Sequence, residues 1–147
     1  MLSHEQIEAL IPHKGGMCLW QEVLAWDARR IRLRATAHVD PLHPLRANQR
    51  LHALHLCEYG AQAMAVHGGL RASAGGQALR AGLLVALRGV QRHCMRIDDL
   101  PGALECEAEM LLESEASQQY GFRIFHGDRL LAEGRAAVML QPAAGKD

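Results

Sequence analysis

The sequence predicts an α+β domain in which antiparallel strands pack on one long buried helix. Three observations predict it. The stretch LHLCEYGAQAMAVHGGL, at 54–70, favours helix and is apolar on nearly every side, which is typical of a buried helix. The segments at 30–38 and 103–110 alternate apolar and polar residues, as half-buried strands do. The 147 residues contain no internal repeat or linker, so we expect one domain over 1–147.

Three elements precede the long helix. Ser3 with Gln6 forms a capping-box pattern, which predicts a short helix over about residues 3–10. The apolar segment MCLWQEVLAW, at 17–26, predicts a buried strand, and RIRLRATAH, at 30–38, predicts a half-buried one. Prolines then end the strand pattern.

The long helix should cover about residues 52–69 and end at Gly68-Gly69, with RASAGGQALR as a loop. The segment at 81–92 fits strand or helix by pattern alone. Residues 103–110 alternate again, and apolar segments at 119–125 and 130–140 flank a turn at His126-Gly127-Asp128. We therefore expect five to six strands. A single sheet on one helix leaves an edge uncovered, which favours a dimer.

The composition excludes several classes of protein. The formal net charge is zero, which argues against sequence-independent electrostatic binding to nucleic acid or to an anionic membrane surface. The N-terminal segment contains acidic residues and lacks the apolar core of a secretory signal, and no apolar run approaches the length of a membrane span. The four cysteines form no CxxC pair, so we expect reduced thiols in a cytoplasmic protein.

Four segments in the same order resemble the hotdog-fold 3-hydroxyacyl-thioester dehydratases of bacterial fatty-acid synthesis. Their relatives in aryl-polyene and related pigment clusters are more similar still. The segments are IPHKGGMCLWQEV, LHALHLCEYGAQAMA with its Glu four residues before a Gln, IDDLPGALECEAEM, and FHGDRLLAEGRAAVML. The resemblance covers nearly the whole chain.

The resemblance implies a hotdog fold, with a long central helix wrapped by an antiparallel sheet. It also implies dehydration of a 3-hydroxyacyl chain on acyl carrier protein to the trans-2-enoyl thioester, without a cofactor. In family dimers the catalytic Glu and His can come from different subunits, so we expect either a homodimer or a heterodimer with another hotdog subunit.

The catalytic Glu of the family corresponds to Glu58, but its histidine partner is ambiguous. The fatty-acid enzymes place the catalytic His 14 residues before the Glu, where this chain has Pro44, and His43 is one residue out of register. The pigment-type relatives often keep only the histidine of the Leu-Pro-His segment, which corresponds to His13. We therefore expect Glu58 as the acid, or as the group that holds the departing water, and either His13 or His43 as the base.

Three residues are expected to bind the substrate. The N–H of Ala53, at the start of the helix, corresponds to the donor that stabilises the enolate-like oxygen. Met17 and Gln62 are expected to contact the substrate, in an apolar tunnel that Met17–Leu19, the start of the helix and the strand at 81–88 would line.

Other interpretations of the same residues remain open. Glu58 could be a structural carboxylate held by Gln62, and His67 fits a packed helix residue. His52, His55 and Cys57 lack convincing further ligands, so no metal is expected. Three arginines could meet a carrier protein or simply line a solvated strand edge: Arg88, Arg92 and Arg96.

Two other functions also fit the sequence. A hotdog thioesterase would use the helix carboxylate to activate water against the thioester carbonyl. A non-catalytic partner subunit would complete the site of a heterodimeric dehydratase, and the proline at position 44 favours that alternative.

Overall fold

The computed structural model describes residues 1–76 and 82–141, without the side chains at 83 and 85. A seven-stranded antiparallel sheet packs on one long helix, in the strand order β1-β2-β3-β5-β6-β7-β4. The strands are β1 (Leu2–Ser3), β2 (Glu22–Trp26), β3 (Arg30–Ala35), β4 (Gly82–Arg92), β5 (Leu104–Glu113), β6 (Ser117–His126) and β7 (Arg129–Leu140). The helices are α1 (His4–Glu8) and α2 (Leu56–Ala74), with 3₁₀ turns at Gly15–Met17, Ala37–Val39 and Ala53–His55. The α+β prediction is confirmed, and the strand count exceeds the expected five to six because two-residue β1 pairs with β2.

The capping box at the first helix is formed as predicted. The Ser3 hydroxyl accepts from the Gln6 N–H, and the Gln6 side chain accepts from the Ser3 N–H at 2.9 Å. Ile7 is the buried residue of α1 and joins the core. The capping chemistry therefore places this short helix correctly from sequence.

The predicted strand at 17–26 begins later than expected. Residues 15–17 form a 3₁₀ turn, and pairing with β3 starts only at Glu22. Cys18, Leu19 and Trp20 are apolar because they are buried in the core, not because they form sheet. β3 also ends at Ala35, where the 3₁₀ turn over Ala37–Val39 replaces the last predicted strand residues.

The long helix continues past its predicted end at Gly68-Gly69 to Ala74. Gly69 lies against the segment after α1, where an added Cβ would come within 3.0 Å of the Leu10 carbonyl oxygen. Gly60 is equally restricted, because its Cβ would lie 2.8 Å from the Phe122 ring on β6. These glycines permit close packing of the helix, and they do not mark its end.

The outer face of the sheet carries a ladder of opposite charges between β3 and β5. The register places Arg30, Arg32 and Arg34 opposite Glu109, Glu107 and Glu105. The inner residues of both strands, which include Ile31, Leu33, Leu104 and Cys106, are buried against the helix. The alternation seen in sequence therefore reflects one face on the core and one in solvent.

Three histidines are buried inside the domain rather than displayed on its surface: His38, His43 and His67. His67 packs as expected for a helix core residue, with Nδ1 2.7 Å from the Tyr120 hydroxyl and Nε2 2.8 Å from the Asp27 carbonyl oxygen. All four cysteines are free thiols, of which Cys18 and Cys106 are buried. Within residues 1–76 and 82–141, no helix combines the length and apolar character needed to cross a bilayer.

Candidate active site

Glu58 lies in the first turn of α2, close to the start of the helix. The 3₁₀ turn over Ala53–His55 leads into the helix, and the Nδ1 of His52 accepts from the Leu54 N–H at 2.9 Å. A carboxylate is favoured at this end because the helix dipole presents its positive side there. The Glu58 side chain is 39% exposed, so it is reachable from outside the core.

His13 is the histidine that the structure brings to Glu58. Its Nε2 lies 3.5 Å from the Oε2 of Glu58, although the two residues are 45 positions apart in the chain. Its Nδ1 is buried and has no hydrogen-bond partner within the described residues. The side that faces Glu58 is therefore the one available for proton transfer.

Gln62 fixes the position of Glu58 from one helical turn away. Its Oε1 accepts from the Leu19 N–H at 2.9 Å, while its Nε2 donates to the Met17 carbonyl oxygen at 2.8 Å and to Glu58 Oε2 at 2.9 Å. These partners define which end of the amide is the donor. Gln62 is only 1% exposed, so its expected contact with substrate would have to be indirect, through Glu58.

His43 lies in the core and contacts the neighbour of Glu58. Its Nε2 is 3.2 Å from the Tyr59 hydroxyl, and its Nδ1 accepts from the Leu45 N–H at 3.1 Å. Burial lowers the pKa of His43, which favours the neutral ring. Of the two candidate histidines, the structure brings His13 to Glu58 and places His43 beside Tyr59.

The backbone donor that the resemblance assigned to Ala53 is already occupied. The Ala53 N–H donates to the Met95 carbonyl oxygen at 2.9 Å, next to the isolated bridge between His52 and Arg96. Ala53 is also fully buried. Ala53 can donate fully to an oxyanion only if this hydrogen bond opens, so its role as a substrate donor stays a prediction.

Two cavities in the described part of the chain each touch one end of the expected lining of the acyl tunnel, one at Arg88 and the other at the start of the long helix. One of about 860 Å³ is a groove on the outer face of the sheet, and one of about 460 Å³ adjoins the start of α2 beside His52, His55 and Met95. Neither includes Met17–Leu19, where Met17 is 37% exposed while Cys18 and Leu19 are 1% exposed. Part of the proposed lining, residue 81 and the side chains at 83 and 85, lies outside the described residues.

Sequence reasoning missed one contact that supports the site. The Trp20 indole N–H donates to the Tyr59 carbonyl oxygen at 2.8 Å and its ring meets Tyr59 edge-on, which ties the segment after His13 to the helix. No sequence pattern signals this contact. Among the described residues, no group of three or more His, Cys, Asp and Glu side chains is placed to hold a metal ion.

Solved structures with this architecture define a hotdog fold. The dehydratase heterocomplex ApeI:P from Xenorhabdus doucetiae matches with a TM-score of 0.84 at 21% identity, over 97% of this chain and 93% of that chain. A Staphylococcus aureus thioesterase matches with a TM-score of 0.60 at 14% identity, over 82% of this chain and 93% of that one. The PaaI protein of an Escherichia coli phenylacetic acid degradation operon matches with a TM-score of 0.59 at 15% identity, over 80% of this chain and 81% of that chain. No curated protein matches the chain in sequence.

The particular family follows from the sequence match along the whole domain. The ApeP-like family, described as ApeP dehydratase, matches residues 5–146. The chain belongs to this dehydratase family, which confirms the resemblance drawn from the four sequence segments.

Proposed function

We propose that the chain takes part in dehydrating a 3-hydroxyacyl thioester on acyl carrier protein to the trans-2-enoyl thioester, in polyene or related biosynthesis. The observation that carries this proposal is the 3.5 Å approach of His13 Nε2 to Glu58 Oε2, with Gln62 bonded to the same carboxylate oxygen. Membership of a dehydratase family supports it. An imidazole and a carboxyl group are the acid–base pair that loss of water requires.

The proposed steps keep atoms and charges in balance. The neutral His13 Nε2 removes the proton from Cα of the thioester. Glu58, in its protonated form, donates its proton to the departing β-hydroxyl, which leaves as water while the Cα–Cβ double bond forms. His13 then returns a proton to Glu58 across the short gap between them, and the pair is ready for the next substrate. No cofactor takes part in these steps.

The proposed assembly is a dimer with a second hotdog subunit. The His13 and Glu58 side chains are 33% and 39% exposed in the isolated chain, so a partner could enclose them and exclude water. The similar ApeI:P protein is a heterocomplex, which supports a heterodimer here. On this proposal the partner would also help to line the acyl-binding space that a single chain leaves open.

A mass-spectrometric assay tests the reaction directly. Incubation with 3-hydroxyacyl carrier protein, alone and after mixing with a second dehydratase-like subunit, should convert the acyl chain to a product lighter by one water. Conversion only after mixing would identify this chain as one part of a shared site. Absence of conversion under both conditions would contradict the proposal.

Thioester hydrolysis is the second candidate, because the fold is shared with a thioesterase. A carboxylate in the first turn of the helix could activate water instead of protonating a hydroxyl. The same incubations distinguish the two reactions, since hydrolysis releases free carrier-protein thiol and dehydration does not.

A further inference from the structure

The ring of His13 has no hydrogen bond within the described residues that fixes its orientation. Its Nδ1 is buried without a partner, and its Nε2 lies 3.5 Å from Glu58 Oε2, which is longer than an ordinary hydrogen bond. A catalytic histidine is usually oriented by a second group that bonds its other ring nitrogen. Because the described part of the chain supplies no such group, the backbone that carries His13 has to set the position of the ring.

Glu8, the last residue of α1, holds this backbone from one side. Its Oε2 accepts from the Gly15 N–H at 2.7 Å, two residues after His13. Gly15 has a φ of 57°, a left-handed conformation that glycine adopts freely, so this bond fixes a backbone that would otherwise turn easily. The Lys14 Nζ donates to the carbonyl oxygen of Glu8 and to that of Ile11 at 2.9 Å, which ties the same segment to the end of α1.

His4 makes a second pair of contacts from the first turn of α1. Its Nδ1 lies 3.3 Å from Glu8 Oε1, and its Nε2 lies 3.0 Å from the Cys18 carbonyl oxygen. The Cys18 N–H in turn donates to the Gly15 carbonyl oxygen at 3.1 Å. His4 and Glu8 therefore contact both ends of the 3₁₀ turn that follows His13.

The other side of the same turn is bonded to α2. Gln62 donates both to the Met17 carbonyl oxygen at 2.8 Å and to Glu58 at 2.9 Å, so it joins the turn to the catalytic carboxylate. The turn thus lies between two anchors, with Glu8 on α1 and Gln62 on α2. The side chains of His4 and Glu8 are 32% and 26% exposed, so their bonds are partly shielded from water.

We infer that Glu8 and His4 are positioning residues for the reaction, which hold the turn after His13 so that the imidazole stays opposite Glu58. Both act through the backbone of the turn and need no contact with the substrate. The inference rests on the proposed function, since it takes His13 as the base. Its direct consequence is the position of the His13 ring, which is measured without substrate.

The first test measures the ring by its reactivity. Diethyl pyrocarbonate acylates accessible, unprotonated imidazoles, and peptide fragmentation by mass spectrometry separates modification of His13 from that of His4. In Glu8→Ala the His13 ring should be acylated several-fold faster than in the wild type, because the ring is no longer held against Glu58. Buried His43 should keep its wild-type rate, which shows that the fold is intact.

The second test measures dehydration with the partner subunit present. A misplacement of about 1 Å costs roughly 10²-fold in rate, so Glu8→Ala should lower kcat by about ten- to a hundredfold and change KM little. In a His13→Ala background the same substitution should cost almost nothing further, because no imidazole remains to be positioned. Glu8→Gln keeps an oxygen that accepts from the Gly15 N–H and should recover most of the lost rate.

Glu5→Ala is the matched control. Glu5 is an exposed carboxylate on the same helix, and it makes no ion pair or hydrogen bond within residues 1–76 and 82–141. Its removal should change neither the acylation of His13 nor kcat. His4→Ala is the second test variant if Glu8→Ala does not fold, and it should shift both quantities in the same direction by a smaller factor, because Glu8 still holds Gly15.

The outcomes separate this inference from the proposed function. Wild-type acylation of His13 in both Glu8→Ala and His4→Ala would overturn the inference, whatever the activity. An equal loss of kcat with and without His13 would also overturn it, because Glu8 would then act on the fold and not through the imidazole. A His13→Ala protein that dehydrates at the wild-type rate would instead contradict the proposed base, while the acylation rates still decide whether Glu8 holds the ring.

Discussion

Replacing Glu58 by glutamine removes a proton-transfer group while keeping the shape of the side chain. The new amide oxygen could still accept the hydrogen bond from the Gln62 Nε2, which lies 2.9 Å from the carboxylate, and the new amide nitrogen could face His13. What is lost is a half-exposed carboxylate–imidazole contact at 3.5 Å. Such exposed pairs contribute about 0–1 kcal/mol, so the free energy of unfolding should change by no more than about 1 kcal/mol.

The dehydration rate should respond very differently. An amide cannot donate a proton to the departing hydroxyl, and removal of one acid–base group commonly costs about 10²–10⁴ in rate. The expected signature of Glu58→Gln is thus a rate loss of at least about a hundredfold in a protein of nearly wild-type stability.

Two measurements on one preparation check this signature. Urea denaturation gives the free energy of unfolding, and mass spectrometry of the carrier-bound acyl chain gives the rate of water loss, with the partner subunit present. A variant that dehydrates at the wild-type rate would refute the role of Glu58 and leave it as a structural carboxylate. A variant that loses several kcal/mol of stability would refute the view that its contacts contribute little to the fold.

The remaining predictions concern the histidines and the glutamine that positions the acid. His13→Ala should lose about 10²-fold or more in dehydration rate with little change in stability. His43→Ala should lose about 1–3 kcal/mol of stability and keep its rate per folded molecule, because His43 is buried and bonded to Tyr59. A larger rate loss at His43 than at His13 would reverse the assignment of the base. Gln62→Leu leaves the buried Leu19 N–H without its acceptor, so urea denaturation should show a loss of about 1–3 kcal/mol in the free energy of unfolding. The dehydration rate of the folded fraction should also fall, because Glu58 loses its hydrogen bond from Gln62. Unchanged stability would contradict the structural role of the Gln62 hydrogen bonds. Burial lowers the pKa values of the histidines at 38, 43 and 67, so the unfolded chain binds more protons below its histidine pKa of about 6.5. The free energy of unfolding should therefore be at its full value above that pH and fall between about pH 6.5 and 5, and a flat profile across this window would contradict buried neutral histidines.

Local sequence signals determined the elements whose physics is local. The capping pair Ser3 and Gln6 placed α1, and alternation placed β3 and β5 with their buried and solvated faces. The hairpin between β6 and β7 turns at Gly127 with a φ of 58°, as glycine in a tight turn permits. Each of these depends on interactions between residues close in the chain or on which side of an element faces water.

Where the helix and the strand within the apolar segments begin and end depends on tertiary contacts. The pair Gly68-Gly69 predicts the end of a helix because glycine is common just past helix ends, but in the fold the helix continues through it, with Gly69 packed against Leu10. Cys18, Leu19 and Trp20 predict strand by hydrophobicity, yet they fill the core from an irregular segment. Hydrophobicity reports that a residue is buried, and it does not report which backbone conformation buries it.

The candidate site shows the same division. The sequence identified Glu58 because a carboxylate in an apolar helix is costly unless it is paired or used in chemistry. It also identified His13 and His43 as two possible partners. Only the folded chain distinguishes them geometrically, because it brings His13 to 3.5 Å from Glu58 and turns His43 onto Tyr59. Likewise, only the fold shows that the Ala53 N–H is bonded to Met95. These contacts join residues that are between 16 and 45 positions apart in the chain. Their geometry depends on how the whole sheet and helix pack, which no local pattern in the sequence encodes.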